Sequence, residues 1–154
     1  MSRTFAVGIS ALAMLAGSLT CVAQGTAPVT PATLAGGKVV NADEAKKLLD
    51  GKKAVFIDTR SAMNFGKGHV PGAKAIPYGE KSEFAENFDA SKDRFDLAQL
   101  PADKNTVLVF YSHGPTGWKS YKAAVLAVRA GYKSVHYFRD GLAEWEAKKY
   151  PLAN

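Results

Sequence analysis

The chain has 154 residues, a formal net charge of +6, 47% hydrophobic residues and 22% charged ones, which suits one globular domain with an appended segment and argues against wholesale disorder. A single cysteine excludes an intramolecular disulfide framework, a CxxC redox pair and a multi-cysteine zinc or iron–sulfur site, and three scattered histidines without an HExxH pattern argue against a metal centre, so no metal or cofactor is expected. Acidic and basic residues interleave, as Asp43, Glu44 and Asp50 do among Lys46, Lys47, Lys52 and Lys53, so the positive charge reads as a solvated surface and not as a nucleic-acid patch.

Residues 1–23 stand apart. Arg3 is their only charged side chain, an apolar run extends from Phe5 to Leu19, and small residues lead to Ala23. A positive start, an apolar middle and a small-residue exit make a secretory signal peptide. The run is short for a membrane span and has no stop-transfer flank. The expectation is a periplasmic or secreted protein without stable membrane insertion after cleavage. Cys21 lies inside this segment and has two fates: cleavage after Ala23 removes it, or lipoprotein processing makes it the lipidated first residue. Thr20 is bulkier than the residues such processing prefers, which favours removal. Residues 24–37 (QGTAPVTPATLAGG) have no periodicity and read as a flexible linker, with the folded domain over 38–152.

Val39–Val40 suggests a short strand. Asn41 followed by Glu44 is a capping-box pattern, and Ala45, Leu48 and Leu49 give the helix behind it one apolar face, closed by Gly51. Ala54–Asp58 (AVFID) is an apolar run between turn-formers, hence a buried strand. Tyr78–Asn105 has mixed charge and weak pattern and reads as an insertion, with a short helix around Glu83–Phe88. Thr106–Tyr111 (TVLVFY) and Ser134–Phe138 (SVHYF) are two further strands. Between them Trp118, Tyr121, Val125 and Val128 recur at helical spacing from about Gly117 to Ala130, and Gly131 is the natural stop. A last helix near Leu142–Lys149 turns Leu142 and Trp145 inward. Strands alternating with helices at this spacing predict an α/β domain with a parallel sheet.

In open parallel sheets ligands bind at the carboxyl ends of strands. The segment after TVLVFY is Ser112-His113-Gly114-Pro115-Thr116-Gly117, and it leads into a helix. Such a turn can aim successive N–H groups inward, and the helix adds its positive end, worth about 0.3–1 kcal/mol towards an anion. Gly114, Thr116 and Gly117 are expected to offer N–H groups, Ser112 a hydroxyl, and Lys119 and Lys122 positive charge. A connecting loop also favours glycine and proline, so this pattern alone leaves a purely structural turn open.

Ile57-Asp58-Thr59-Arg60, then Gly68-His69-Val70-Pro71-Gly72-Ala73 with Ile76-Pro77, the strand–loop–helix of 106–130, and Gly141-Leu142 with Trp145 and Pro151 resemble, in this order, a single rhodanese-like (sulfurtransferase) domain over about 38–152. The stretch Phe110–Ala124 is most similar to a secreted subgroup whose loop reads Cys-x-Gly-Pro-x-Cys-Trp and which is associated with PQQ-dependent quinoprotein oxidation systems. The resemblance implies about five strands in a mostly parallel sheet flanked by helices, with the six-residue loop as active site.

The departure falls on the reacting atoms. The family's nucleophilic cysteine is Ser112 here, and the subgroup's second cysteine is Gly117. Sulfur transfer runs through a cysteine persulfide, and a serine hydroxyl is harder to ionise and cannot carry sulfane sulfur. Phosphatase chemistry on similar loops also uses cysteine. A serine hydrolase needs a base beside Ser112, and neighbouring side chains in such a loop diverge, so His113 is expected to face solvent. His69 is expected to be structural or on the rim, and His136 packed at the core or edge. Asp58 and Arg60 are expected to tie neighbouring loops by charge-assisted hydrogen bonds, and Trp118 to pack in the core or wall the pocket. The expectation is an exported binding or accessory protein without persulfide catalysis, taking a small oxyanion, a sulfur compound or a periplasmic protein at Ser112–Lys119. Two alternatives stand beside it: an active thiosulfate or persulfide sulfurtransferase that borrows an external thiol, and a scaffold for a periplasmic quinoprotein oxidase.

Overall fold

The computed structural model describes residues 27–154; the expected signal peptide with Cys21, and the first residues of the expected linker, lie outside them. Strands β1 (Lys38–Val40), β2 (Val55–Asp58), β3 (Lys74–Ala75), β4 (Val107–Tyr111) and β5 (Ser134–Phe138) form one five-stranded sheet in the order β1-β5-β4-β2-β3. Every strand pair is parallel, so the mostly parallel sheet expected from the sequence is parallel throughout. In the centre Phe110 lies opposite Ile57 and Tyr137, and Tyr111 opposite Asp58 and Phe138.

Both faces of the sheet are covered, which is why its inner strands read as continuous apolar runs. Alternate residues of β4 divide between two cores. Leu108 and Phe110 join Ile57, Val135 and Tyr137 under α3 (Trp118–Arg129), whose Ala123, Ala124 and Ala127 let the helix lie close. Val109 and Tyr111 join Phe56 and Phe138 against α1 (Ala42–Asp50) and α4 (Gly141–Ala147), which supply Ala42, Ala45, Leu142 and Trp145. Each large side chain so buried contributes on the order of 1.5–3 kcal/mol. The capping box of α1 forms in both directions, Glu44 N–H to Asn41 Oδ1 at 2.9 Å and Asn41 N–H to Glu44 Oε2 at 3.1 Å.

Two expectations need correction. No helix forms around Glu83–Phe88; the insertion instead carries two 3-10 turns, Ala90–Lys92 and Leu97–Gln99. Aspartates decide this locally: Asp89 and Asp96 cap the turns, and Asp93 accepts the N–H groups of Lys81 and Ser82, so the backbone is satisfied without a helix. Residues 27–37, expected to belong to a flexible linker, are docked on the domain. Thr30 and Leu34 are buried, and Arg139 donates to the Thr30 carbonyl at 2.9 Å. Three elements were not anticipated or were longer than read: β3, the five-residue helix α2 (Ala62–Gly66) capped by Ser61, and a C-terminal tail whose Ala153 exchanges two backbone hydrogen bonds with His69.

Candidate functional site

The loop 112–117 runs from the end of β4 to the start of α3, and each of its six carbonyls has a donor. Leu142 and Ala143 N–H, at the start of α4, bind the carbonyls of Ser112 (3.0 Å) and His113 (2.8 Å). Gly117 N–H closes on Gly114 O at 2.8 Å, and Trp118 N–H reaches Thr116 O at 3.1 Å. Pro115 O receives both the N–H and the hydroxyl of Thr30 at 2.8 Å, and Gly117 O receives the Ser120 hydroxyl at 3.0 Å. With the carbonyls held outward, the N–H groups of His113, Gly114 and Thr116 have no acceptor among the described residues. Gly117 was expected to offer its N–H to a ligand; that group is consumed in closing the turn.

Gly141 makes this arrangement possible. Its φ is +54°, and a Cβ there would sit 2.5 Å from the Ser112 carbonyl oxygen. Only glycine lets the N-terminus of α4 approach the loop backbone this closely.

Ser112 is 4% exposed, and its hydroxyl has no hydrogen-bond partner among the described residues. It opens into a cleft of about 180 Å³ lined by Thr116, Gly117, Trp118 and half-buried Lys119 from the loop and the start of α3, and by Arg60, Asn64 and Glu80 from other parts of the chain. A second cleft of about 250 Å³ lies beyond His113, between Lys67, Ala143 and Glu146, and shares Arg60 and Asn64 with the first. His113 is an exposed residue on the divide between them. Partial desolvation, and then the Arg60 guanidinium, push its imidazole below the usual histidine range. Adjacent in sequence, His113 and Ser112 share no hydrogen bond, and no triad forms around the hydroxyl among the described residues.

Asp58 and Arg60 form a buried bidentate pair, with Arg60 Nε 2.9 Å from Asp58 Oδ1 and Nη2 2.6 Å from Oδ2. Nη2 also donates to Gly68 O at 2.7 Å, so the pair ties the end of β2 to the turn that follows α2. Burial alone would lower the Arg60 pKa; the Asp58 carboxylate outweighs it and raises it. His69 does not line either cleft: it stacks on Phe65 at 3.7 Å and its Nδ1 faces Phe65 O at 3.0 Å. His136 lies on β5 with Nδ1 buried and without a hydrogen-bond partner among the described residues. Trp118 is 4% exposed, donates Nε1–H to Pro28 O at 2.7 Å and walls the Ser112 cleft.

Lys122, expected to lend charge to the loop, points elsewhere. Its fully buried ammonium sits 2.9 Å from Glu80 Oε1 and 2.9 Å from the Ser82 hydroxyl, under the insertion. Three positions along α3 keep it on the same helix face as Lys119 but one turn further from the loop, where Glu80, Ser82 and Asp93 of the insertion enclose it. Glu80, like Ser61 and Asn64, is a lining residue that the sequence did not single out. It lies in the stretch without periodicity, where no pattern marked it. No group of three or more His, Cys, Asp or Glu among the described residues is arranged to hold a metal ion.

A family model described as Rhodanese-like domain matches residues 41–148. The chain is 29% identical over 111 residues to the tRNA uridine(34) hydroxylase of Erwinia tasmaniensis, a match covering 71% of this chain and 28% of that protein. It therefore spans less than a third of the curated relatives it matches. Among solved structures, the Alr3790 protein of Anabaena sp. superposes with a TM-score of 0.56 at 22% identity, over 75% of this chain and 80% of that one. A human single-domain sulfurtransferase gives 0.52 at 24% identity, over 71% and 96%. At these identities the two superpositions speak for the fold.

Proposed function

Because the chain belongs to the rhodanese-like domain family, we propose that it is an exported binding or accessory domain that holds a small oxyanion at the 112–117 loop and transfers no sulfur. The observation that carries this reading is Ser112: a buried residue whose hydroxyl has no partner among the described residues, at the head of a loop with cradle geometry. In proteins that the chain resembles, this position supplies the persulfide-forming cysteine, as the second loop cysteine of the secreted subgroup stands at Gly117. Oxygen in place of sulfur leaves binding intact and removes the group that would carry the sulfane atom.

The N–H groups of His113, Gly114 and Thr116, the Ser112 hydroxyl and the Lys119 ammonium are donors, which suits an anion. The tRNA in the relatives' name is not carried over to this chain. Several of its lysines pair with acidic neighbours, as in Lys38–Glu44, Lys46–Asp50, Lys92–Glu83 and Lys148–Asp43, which lowers the positive charge they offer to a phosphate backbone. The leader of residues 1–23 supports a periplasmic or secreted place of action.

The test pairs two measurements on the purified protein. Thermal unfolding with phosphate, sulfite, sulfate or thiosulfate reads binding, and a ligand at 100 times its dissociation constant stabilises by about 2.7 kcal/mol. A thiosulfate:cyanide assay reads transfer. Stabilisation by at least one oxyanion without turnover is the expected result. Turnover with a sulfane adduct on this polypeptide would overturn the reading in favour of a working sulfurtransferase. Absence of any anion effect, with co-purification of a quinoprotein oxidase, would favour the scaffold alternative.

A further inference from the structure

Among the described residues, Glu80 is the one acidic side chain lining the cleft into which Ser112 opens. Its Oε1 is buried, makes no hydrogen bond among the described residues and lies 2.9 Å from the Lys122 ammonium. Lys122 is fully buried and also faces Asp93 at 3.8 Å, so two carboxylates share one ammonium there. Of the cations that line the same cleft, Arg60 is already compensated by Asp58, and Lys119 has no ion-pair partner among the described residues. Among the described residues the cleft thus combines one cation without an ion-pair partner, Lys119, with one carboxylate, Glu80, that Lys122 holds in place.

Resting on the oxyanion reading above, we propose that Glu80 makes this cleft selective for an oxyanion that still carries a proton, such as hydrogen phosphate or hydrogen sulfite, over one that carries none, such as sulfate or thiosulfate. An ionised carboxylate only accepts hydrogen bonds. The loop N–H groups, the Ser112 hydroxyl and Lys119 serve the ionised oxygens of a ligand. The oxygen turned towards Glu80 then needs a hydrogen to donate. A fully ionised anion brings a lone pair and a like charge to that point, which costs affinity without any change in shape. Lys122 is rooted in the core and pairs with Glu80, so the carboxylate is not free to turn away.

The intact chain is titrated calorimetrically at about pH 7.5 and constant ionic strength with phosphate, sulfite, sulfate, thiosulfate and monofluorophosphate, the last having the shape of phosphate without its proton at that pH. Phosphate is expected to bind on the order of tenfold more tightly than sulfate, with sulfite, which has largely lost its proton at that pH, in between, and monofluorophosphate and thiosulfate falling beside sulfate. Glu80→Gln keeps the shape and adds a donor, and should bring sulfate and monofluorophosphate to within about twofold of phosphate. The phosphate and sulfite arms distinguish a phosphorus from a sulfur ligand. Sulfate or monofluorophosphate binding as tightly as phosphate to the unmodified chain overturns the role of Glu80 while leaving the oxyanion site standing, and that result needs no variant to fold. An unchanged ratio in a folded Glu80→Gln does the same. If none of these ions binds the unmodified chain, both the site reading and this selectivity fail.

Discussion

Ser112 has neighbours on nearly every side, and the space next to it is there because residue 117 is glycine. A Cβ at Gly117 would sit 2.8 Å from Ser112 Cβ and 2.9 Å from Gly114 O. Ser112→Cys places a larger sulfur in a pocket that still has this slack, beside N–H groups and a helix start that favour a thiolate. We expect Ser112→Cys alone to show thiosulfate:cyanide turnover, and Ser112→Cys with Gly117→Cys to show less under reducing conditions, because the second side chain displaces the first. Asp93 is a second residue with a measurable signature. Burial would raise its pKa, but hydrogen bonds from Ser82, the N–H groups of Lys81 and Ser82, and Tyr78 outweigh it and hold it at about 2. Its contribution is complete above the unfolded value of 3.8 and is lost as pH falls towards about 2, a window that acid titration of the unfolding free energy reads directly. Asp93→Ala leaves Lys122 with fewer partners inside the protein and should cost about 3 kcal/mol in urea unfolding. Of these residues Ser112 and Arg60 were legible from motif and strand end. Glu80 and Asp93 were not, because both face Lys122 of α3 and Asp93 gathers Tyr78, Lys81 and Ser82 from across the unpatterned insertion, contacts that only the fold brings together.

At the scale of elements, α3 and α4 divide the work on the loop. α3 continues the chain out of it, while the first N–H groups of α4 hold the Ser112 and His113 carbonyls. Gly141→Ala would push a methyl group into the Ser112 carbonyl and force a left-handed backbone on alanine. We expect a loss of about 2 kcal/mol in denaturant unfolding, together with weakened oxyanion binding, since the loop must move to make room. Ala143→Ser, one helix position further from that contact than Leu142, serves as the comparison and should leave stability within about 0.5 kcal/mol. The strands and helices β4, α3 and β5 were read from the sequence almost to the residue because long apolar periodicity marks them. The elements missed, α2 and β3, are five and two residues long and bury too little for a pattern to emerge. The expected helix at Glu83–Phe88 lost to aspartate-capped turns, a competition between side chain and backbone that composition does not reveal.

For the molecule as a whole, histidine protonation sets the behaviour near neutrality. Desolvation lowers the pKa of His113, with Arg60 adding to it, and that of His136, with Lys38 adding to it. Both groups therefore bind a proton less readily in the folded chain than in the unfolded one. Above the ordinary value of 6.5 they have no effect, and below it stability falls as pH drops towards their folded values. Urea midpoints at about pH 7.5 and about pH 5.5 should differ in that direction, and His136→Gln should reduce the difference. The domain's fold class was legible because both sheet faces are buried. The strap of residues 27–37 was not, because its hold comes from single polar contacts spread along a Gly- and Pro-rich sequence.

That strap has a practical consequence. Thr30 clasps the Pro115 carbonyl twice and Pro28 receives the Trp118 indole, so a stretch that looks dispensable is a buttress of the 112–117 loop. A gene trimmed to begin at Lys38, where the sequence suggests the domain starts, would encode a sheet with all its strands and a loop that has lost its outer anchor. Silence from such a fragment in any ligand screen would report the scissors, not the pocket.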